Sequence, residues 1–276
     1  MRAALVVLII AVAVRRTTHR PTQNQTPPAA EPVSTAKYVP ARTEGLGVSV
    51  AILIDNSGSM KDRAGGDQRP KYLVARQALD AMLATTDSFV ARQPDVPVNV
   101  GLYQFSSGVQ PLIPVRAYDR TALHSALGSM PLPSGGTAIG NAMDVARADL
   151  YQAGTIRKYI LVVTDGQNTE GPSPDRVARE IDQRSEGAVR MYFVAFDVEA
   201  SRFDFLRDVH GEVLEARNGL ALRAGLDSLY RGKILAEALD AGETLADSAA
   251  NRPASPSPAD SSHATRSPTR SRKPTP

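Results

Sequence analysis

The sequence predicts an α/β fold with a doubly wound, mostly parallel central sheet and helices on both faces. Three observations carry this. Leu46–Ile54 and Tyr159–Thr164 are apolar at nearly every position, as strands covered on both faces are. Segments with apolar residues at helical spacing lie between such runs. The order along the chain is mostly strand, helix, strand, which implies a largely parallel sheet with helices packed on it.

The elements follow in order. Leu46–Ile54 is the first strand. A helix begins near Pro70, which suits a first-turn position, and its Ala75, Ala78, Leu79, Met82 and Leu83 recur at helical spacing. Val98–Phe105 is a second strand. Val109–Val115 reads as a short edge strand, where Pro111 and Pro114 are tolerated. Asp119 or Thr121 caps a helix running to Met130, and a further helix spans Ala138–Gln152. After the strand Tyr159–Thr164 come an amphipathic helix over Pro174–Glu186 and a buried strand over Val189–Phe196. A short helix over Ser201–Val209, a last strand over Glu212–Ala216 and a closing helix over Leu220–Leu239 complete the domain.

Composition bounds the chemistry. The chain has 276 residues and no cysteine, so disulfides, iron–sulfur clusters and cysteine zinc sites are excluded. Its hydrophobic content of 42% suffices for a real core. The net charge of +3 divides as +4 over residues 1–20, −5 over 21–249 and +4 over 250–276. The folded part is therefore mildly acidic, and no nucleic-acid partner is expected despite the basic pI.

The ends are read apart from the domain at 45–240. Arg2 precedes a run of 12 apolar residues, Ala3–Val14, of signal-peptide length and short of a membrane span. Residues 1–16 are read as a signal peptide or short membrane anchor: Ala11-Val12-Ala13 supplies a cleavage pattern, whereas Arg15 and Arg16 fit an uncleaved anchor. Residues 17–44, rich in Pro and Thr, and residues 241–276, a basic Ser/Pro tail, are expected to be disordered. The chain is expected to be exported or membrane-anchored and extracytoplasmic, in the periplasm, at the cell surface or secreted.

Ligands of such sheets bind outside the carboxyl ends of the strands. The first strand runs into Asp55-Asn56-Ser57-Gly58-Ser59-Met60, three oxygen side chains at alternate positions with Gly58 permitting the turn. A second loop, Pro133-Ser134-Gly135-Gly136-Thr137, precedes a helix, and Thr137 is either its cap or a ligand. A third begins at Asp165-Gly166. Taken singly, these are ordinary turn and cap residues. Together, Asp55, Ser57, Ser59, Thr137 and Asp165 form an all-oxygen set of two acids and three hydroxyls. Such a set suits a hard cation, Mg²⁺ first, with Mn²⁺ also fitting.

In these three motifs the sequence resembles the von Willebrand factor type A family, over roughly residues 45–240. Ile54–Met60 is similar to the family's metal-ion-dependent adhesion site, Gly136-Thr137 to its threonine loop and Thr164-Asp165-Gly166 to its second aspartate. The resemblance implies a Rossmann-like fold and a metal bound directly by Ser57 and Ser59, with Thr137, Asp55 and Asp165 bound directly or through water. It also implies one coordination position left for an acidic side chain of a partner protein.

The expected function is a divalent-metal-dependent protein-binding module that grips a partner's exposed carboxylate and is not an enzyme. His124 and His210 are read as lying away from the three loops, so no general base stands near. The alternative is a magnesium-dependent phosphohydrolase, but serines occupy the Asp55 loop where a second acid is wanted, and no phosphate-binding G-x-x-x-x-G-K-[ST] loop is present. A passive structural metal site is a third reading. The stretch Lys61–Arg69, inserted before the first helix, is read as a surface loop that could rim the site, with Asn168 and Glu170 as further rim residues.

Overall fold

The computed structural model describes residues 45–239. The targeting segment read at 1–16, the linker at 17–44 and the tail at 241–276 lie outside the described residues. Six strands, β1 (Gly45–Asp55), β2 (Val98–Phe105), β3 (Val109–Ala117), β4 (Thr155–Thr164), β5 (Val189–Phe196) and β6 (Glu212–Ala216), form one sheet in the order β3-β2-β1-β4-β5-β6. Every neighbouring pair is parallel except β2–β3, which is antiparallel. β3 is an edge strand, as its prolines require, and its register shifts on either side of Leu102.

The sheet is covered on both faces. Helices α1 (Lys71–Arg92), α2 (Arg120–Ser129) and α5 (Gly219–Leu229) pack on the face that receives Val48, Val50, Ile52 and Ile54. On the opposite face, α3 (Ile139–Gln152), α4 (Pro174–Ser185) and the 3₁₀ helix Ala200–Val209 pack over Ala51 and Leu53. The alternation along β1 follows from the two-residue period of a strand. It explains why the run is apolar throughout, since each buried Ile or Leu contributes roughly 1.5–3 kcal/mol.

Three boundaries differ from expectation for identifiable reasons. β4 begins at Thr155, because polar side chains in its first half are buried: Thr155 Oγ1 lies 2.6 Å from Ser49 Oγ, and Lys158 is buried beside it. The segment at Ala200–Val209 is a 3₁₀ helix interrupted at Phe203. The closing helix passes through a π-helical stretch at Tyr230–Leu235, which hydrophobic periodicity does not reveal. Among the described residues no helix is long and apolar enough to cross a membrane.

The strand order has a functional consequence. From β1 the chain builds outward through β2 and β3, and it then crosses to build β4, β5 and β6 on the other side. The order reverses between β1 and β4, and a crevice opens at the carboxyl ends of strands at such a point. Asp55 ends β1 and Asp165 follows the last residue of β4.

Candidate metal centre

Asp55, the last residue of β1, is fully buried. Its Oδ1 accepts from the Ser57 backbone N–H at 2.8 Å, and its Oδ2 accepts from the Thr164 hydroxyl at 2.6 Å. Burial pushes its pKa up from 3.8 to about 6, against the lowering effect of those hydrogen bonds. The carboxylate is thus held in place while its charge remains costly, so a nearby cation would relieve it.

Above Asp55 the hydroxyls of Ser57 and Ser59 are 3.2 Å apart, and Ser59 Oγ donates to Asp165 Oδ1 at 2.8 Å. Adjacent oxygens on an octahedral Mg²⁺ are about 3 Å apart, because each lies about 2.1 Å from the ion. The Ser57–Ser59–Asp165 row has a spacing compatible with neighbouring ligands on such an ion, which is also that of ordinary hydrogen-bonded oxygens. Thr137 does not cap α3, since that position is Ala138. Thr137 is itself buried. A Cβ placed on Gly166 would lie 3.8 Å from Thr137 Oγ1 and 3.9 Å from Ser59 Oγ, so both hydroxyls border the space over that glycine. The structure thus gathers the five sequence-identified residues at the carboxyl ends of β1 and β4, with Thr137 placed beside the others over Gly166. No three His, Cys, Asp or Glu side chains among the described residues form a metal-sized group.

The three loops are sewn together by main-chain bonds. Gly58 N–H donates to Gly135 O at 3.0 Å, and Ser134 N–H donates to Asn56 O at 2.9 Å. Gly58 does not have a positive φ, and a Cβ there would stand 3.4 Å from Gly135 O, an ordinary contact. The left-handed residue is Gly135, at φ +77°. Thr137 N–H donates to Thr169 Oγ1 at 2.8 Å, and Thr137 O accepts from Thr169 N–H at the same distance. Ser107 Oγ receives Gly136 N–H and donates to Glu170 Oε1, both at 2.8 Å. Asn168 Oδ1 accepts from Gly140 N–H at 3.3 Å. Asn168 and Glu170 therefore brace the rim, and Thr169 and Ser107 are supports that the sequence motifs did not single out.

Lys71 is the other residue that sequence reasoning passed over. It opens α1, its side chain is only 10% exposed, and its ammonium lies 3.1 Å from Asp165 Oδ2 and 3.2 Å from Asp197 Oδ2. Burial alone would lower its pKa, but the two carboxylates outweigh burial and raise it. The preceding stretch is no free loop: Ala64 is buried, Lys71 N–H donates to Asp62 O, and Gly65 packs against Arg217 O and Asp197 Oδ1. His124 and His210 pair with Asp80 and Asp182, in α2 and behind the 3₁₀ helix Ala200–Val209.

Comparison with known proteins agrees with this architecture. The model of the von Willebrand factor type A domain family matches residues 49–215. A comparison with curated proteins finds no match. Among solved structures, the PilB minor pilin from Streptococcus sanguinis superposes with a TM-score of 0.57 at 14% identity, covering 70% of this chain and 63% of that one. The conserved hypothetical protein BatB from Bacteroides thetaiotaomicron gives 0.53 at 20% identity, covering 69% and 100%. A von Willebrand factor type A protein from Catenulispora acidiphila gives 0.52 at 23% identity, covering 68% and 42%. The chain thus spans less than two thirds of the pilin's length, and these likenesses concern the fold. With a family match over more than half its length and the corresponding fold, the chain belongs to the von Willebrand factor type A domain family, a family of protein-interaction modules.

Proposed function

We propose that the domain grips a partner protein through a Mg²⁺ ion held by Asp55, Ser57, Ser59, Thr137 and Asp165. Mn²⁺ is an acceptable substitute, and a carboxylate from the partner completes the shell. The carrying observation is the oxygen row at the switch point: Ser57 Oγ, Ser59 Oγ and Asp165 Oδ1, spaced 3.2 and 2.8 Å apart. When bound, the ion supplies a Lewis-acidic point charge for the incoming carboxylate. The chain's own residues do the rest: Asp55 fixes the Ser57 backbone, Thr164 orients Asp55, and Thr169 holds Thr137 at the rim. With two acids and three neutral hydroxyls, the ion keeps affinity for a further anion.

No observation favours the hydrolase alternative. A phosphate-attacking acid must reach its substrate, whereas the Asp55 side chain is fully buried. Placement outside the cytoplasm, by the signal peptide or anchor read at residues 1–16, belongs to the same proposal. It is supported by resemblance to a minor pilin and to a pilus adhesin from Lactobacillus rhamnosus GG. The test is partner capture from native membrane and soluble fractions with Mg²⁺ or with EDTA. Capture lost in EDTA and in Thr137→Ala supports the proposal. Capture unchanged by EDTA and in Asp55→Ala refutes it, and metal binding with partner capture insensitive to Thr137→Ala points to a passive metal site.

A further inference from the structure

The candidate metal centre contains a cation of its own. Lys71 Nζ sits 3.1 Å from Asp165 Oδ2, while Asp165 Oδ1 is the oxygen that accepts from Ser59. The two oxygens of this carboxylate therefore have separate duties: Oδ1 faces the serine pair and Oδ2 faces the ammonium. Lys71 is not a chance surface contact. Its side chain is 10% exposed, its backbone N–H is fixed by Asp62 O at 2.8 Å, and its ammonium is held from a second direction by Asp197 Oδ2 at 3.2 Å. Asp197 follows β5 directly and stands in a left-handed conformation with φ of 56°, its N–H bonded to Ala216 O at 2.8 Å. Aspartate tolerates that backbone better than most residues. Lys71 thus spans the carboxyl ends of β4 and β5 beside the crevice.

We propose that Lys71 is an ion-selecting residue: by occupying Asp165 Oδ2 it leaves that carboxylate only Oδ1 to offer an ion, and so favours Mg²⁺ over Ca²⁺. The inference rests on the metal-site reading above. Ca²⁺ takes six to eight oxygens and readily accepts both oxygens of one carboxylate, whereas Mg²⁺ takes six ligands in a tight octahedron and keeps its waters. A carboxylate pinned to single-oxygen binding withholds a ligand that Ca²⁺ would use and Mg²⁺ would not. The ammonium also repels any dication placed against Oδ1, which moderates affinity for both ions. Lys71 acts through Asp165 and touches neither ion nor partner, so it is a positioning residue.

The test is calorimetric titration of the full chain with Mg²⁺ alone and with Ca²⁺ alone. Wild type is expected to prefer Mg²⁺. Lys71→Met, which keeps the apolar stem and loses the charge, should bind both ions more tightly, with Ca²⁺ gaining about tenfold more than Mg²⁺. Lys71→Arg should retain the wild-type ratio. A merely structural lysine would change stability without moving that ratio, so an unchanged ratio in a folded Lys71→Met overturns the inference. Should that variant fail to fold, a crystal of the wild type grown with Mn²⁺ decides. Lys71 on Oδ2 with Asp165 facing the ion through Oδ1 alone supports the inference, and Asp165 turned to the ion with both oxygens overturns it. A wild type that binds neither Mg²⁺ nor Ca²⁺ instead overturns the metal-site reading itself, taking this inference with it.

Discussion

Ser59 Oγ donates to Asp165 Oδ1 at 2.8 Å, joining residues 106 positions apart across the carboxyl ends of β1 and β4. This bond ties the first motif to the third at the place where the strand order reverses. Removing it by Ser59→Ala should cost about 1 kcal/mol of stability. It should also abolish most of the rise in melting temperature that Mg²⁺ produces. Thermal melts with Mg²⁺ and with EDTA check both, and a full Mg²⁺-induced shift in Ser59→Ala would show that the hydroxyl is no ligand.

Asp55 makes stability pH-dependent. Its folded pKa is raised to about 6 from 3.8, so the folded state holds a proton that the unfolded chain has already lost in that window. The resulting stabilisation is complete below about 3.8 and disappears as pH rises through about 6, a loss of roughly 3 kcal/mol by pH 7 in the metal-free protein. Asp55→Asn should lack this component, a difference that denaturant melts in EDTA between pH 4 and 7.5 will measure. Equal slopes for the two proteins would contradict it. Since an ion favours the charged carboxylate, Mg²⁺ affinity should rise with pH over the same interval.

The Thr169 hydroxyl accepts from the Thr137 backbone N–H at 2.8 Å. Thr169→Val keeps the shape and removes the acceptor, leaving a part-buried N–H without its partner. That should cost about 1–3 kcal/mol and weaken Mg²⁺ binding by loosening Thr137. Denaturant unfolding and calorimetry check the two effects separately, and unaltered Mg²⁺ affinity would remove Thr169 from the set of supports.

Gly140 lies in the first turn of α3, where alanine would ordinarily stabilise a helix by about 1 kcal/mol. A Cβ there would stand 2.2 Å from Pro172 O, a backbone atom that moves only if its loop moves. Gly140→Ala should therefore destabilise, by about 1–3 kcal/mol, the opposite of the propensity effect. Gly136→Ala meets the flexible end of Glu170 at the same distance, 2.2 Å, and should cost less. A more stable Gly140→Ala in denaturant unfolding would contradict the close packing of α3 on the third loop.

Much of the architecture was legible because hydrophobic patterning expresses burial directly. β2, β5 and β6 span the residues expected of them, and the prolines of β3 put it at the edge. What escaped was polar and buried. The Thr155–Ser49 pair hides the start of β4, since polar residues in a strand read as its end. Lys71 escaped for a related reason. A lysine opening a helix reads as solvent-facing, and only Asp165 and Asp197, far along the chain, bring it inside. Asp55 and Asp165 were visible because they stand at strand ends, Ser57 and Ser59 because they follow Asp55 at alternate positions, and Thr137 because its glycine loop leads into a helix. Their supports at Ser107 and Thr169 depend on tertiary contact and carry no local signal.

The most direct measurement is calorimetric titration of Mg²⁺ into metal-stripped wild type and into a Ser57→Ala/Thr137→Ala double variant whose fold is verified by circular dichroism. One ion per chain bound by the wild type, with no binding by the folded double variant, is the predicted result. A wild type that takes up no ion, or a double variant that binds as the wild type does, would contradict the claim that these three loops enclose a single metal.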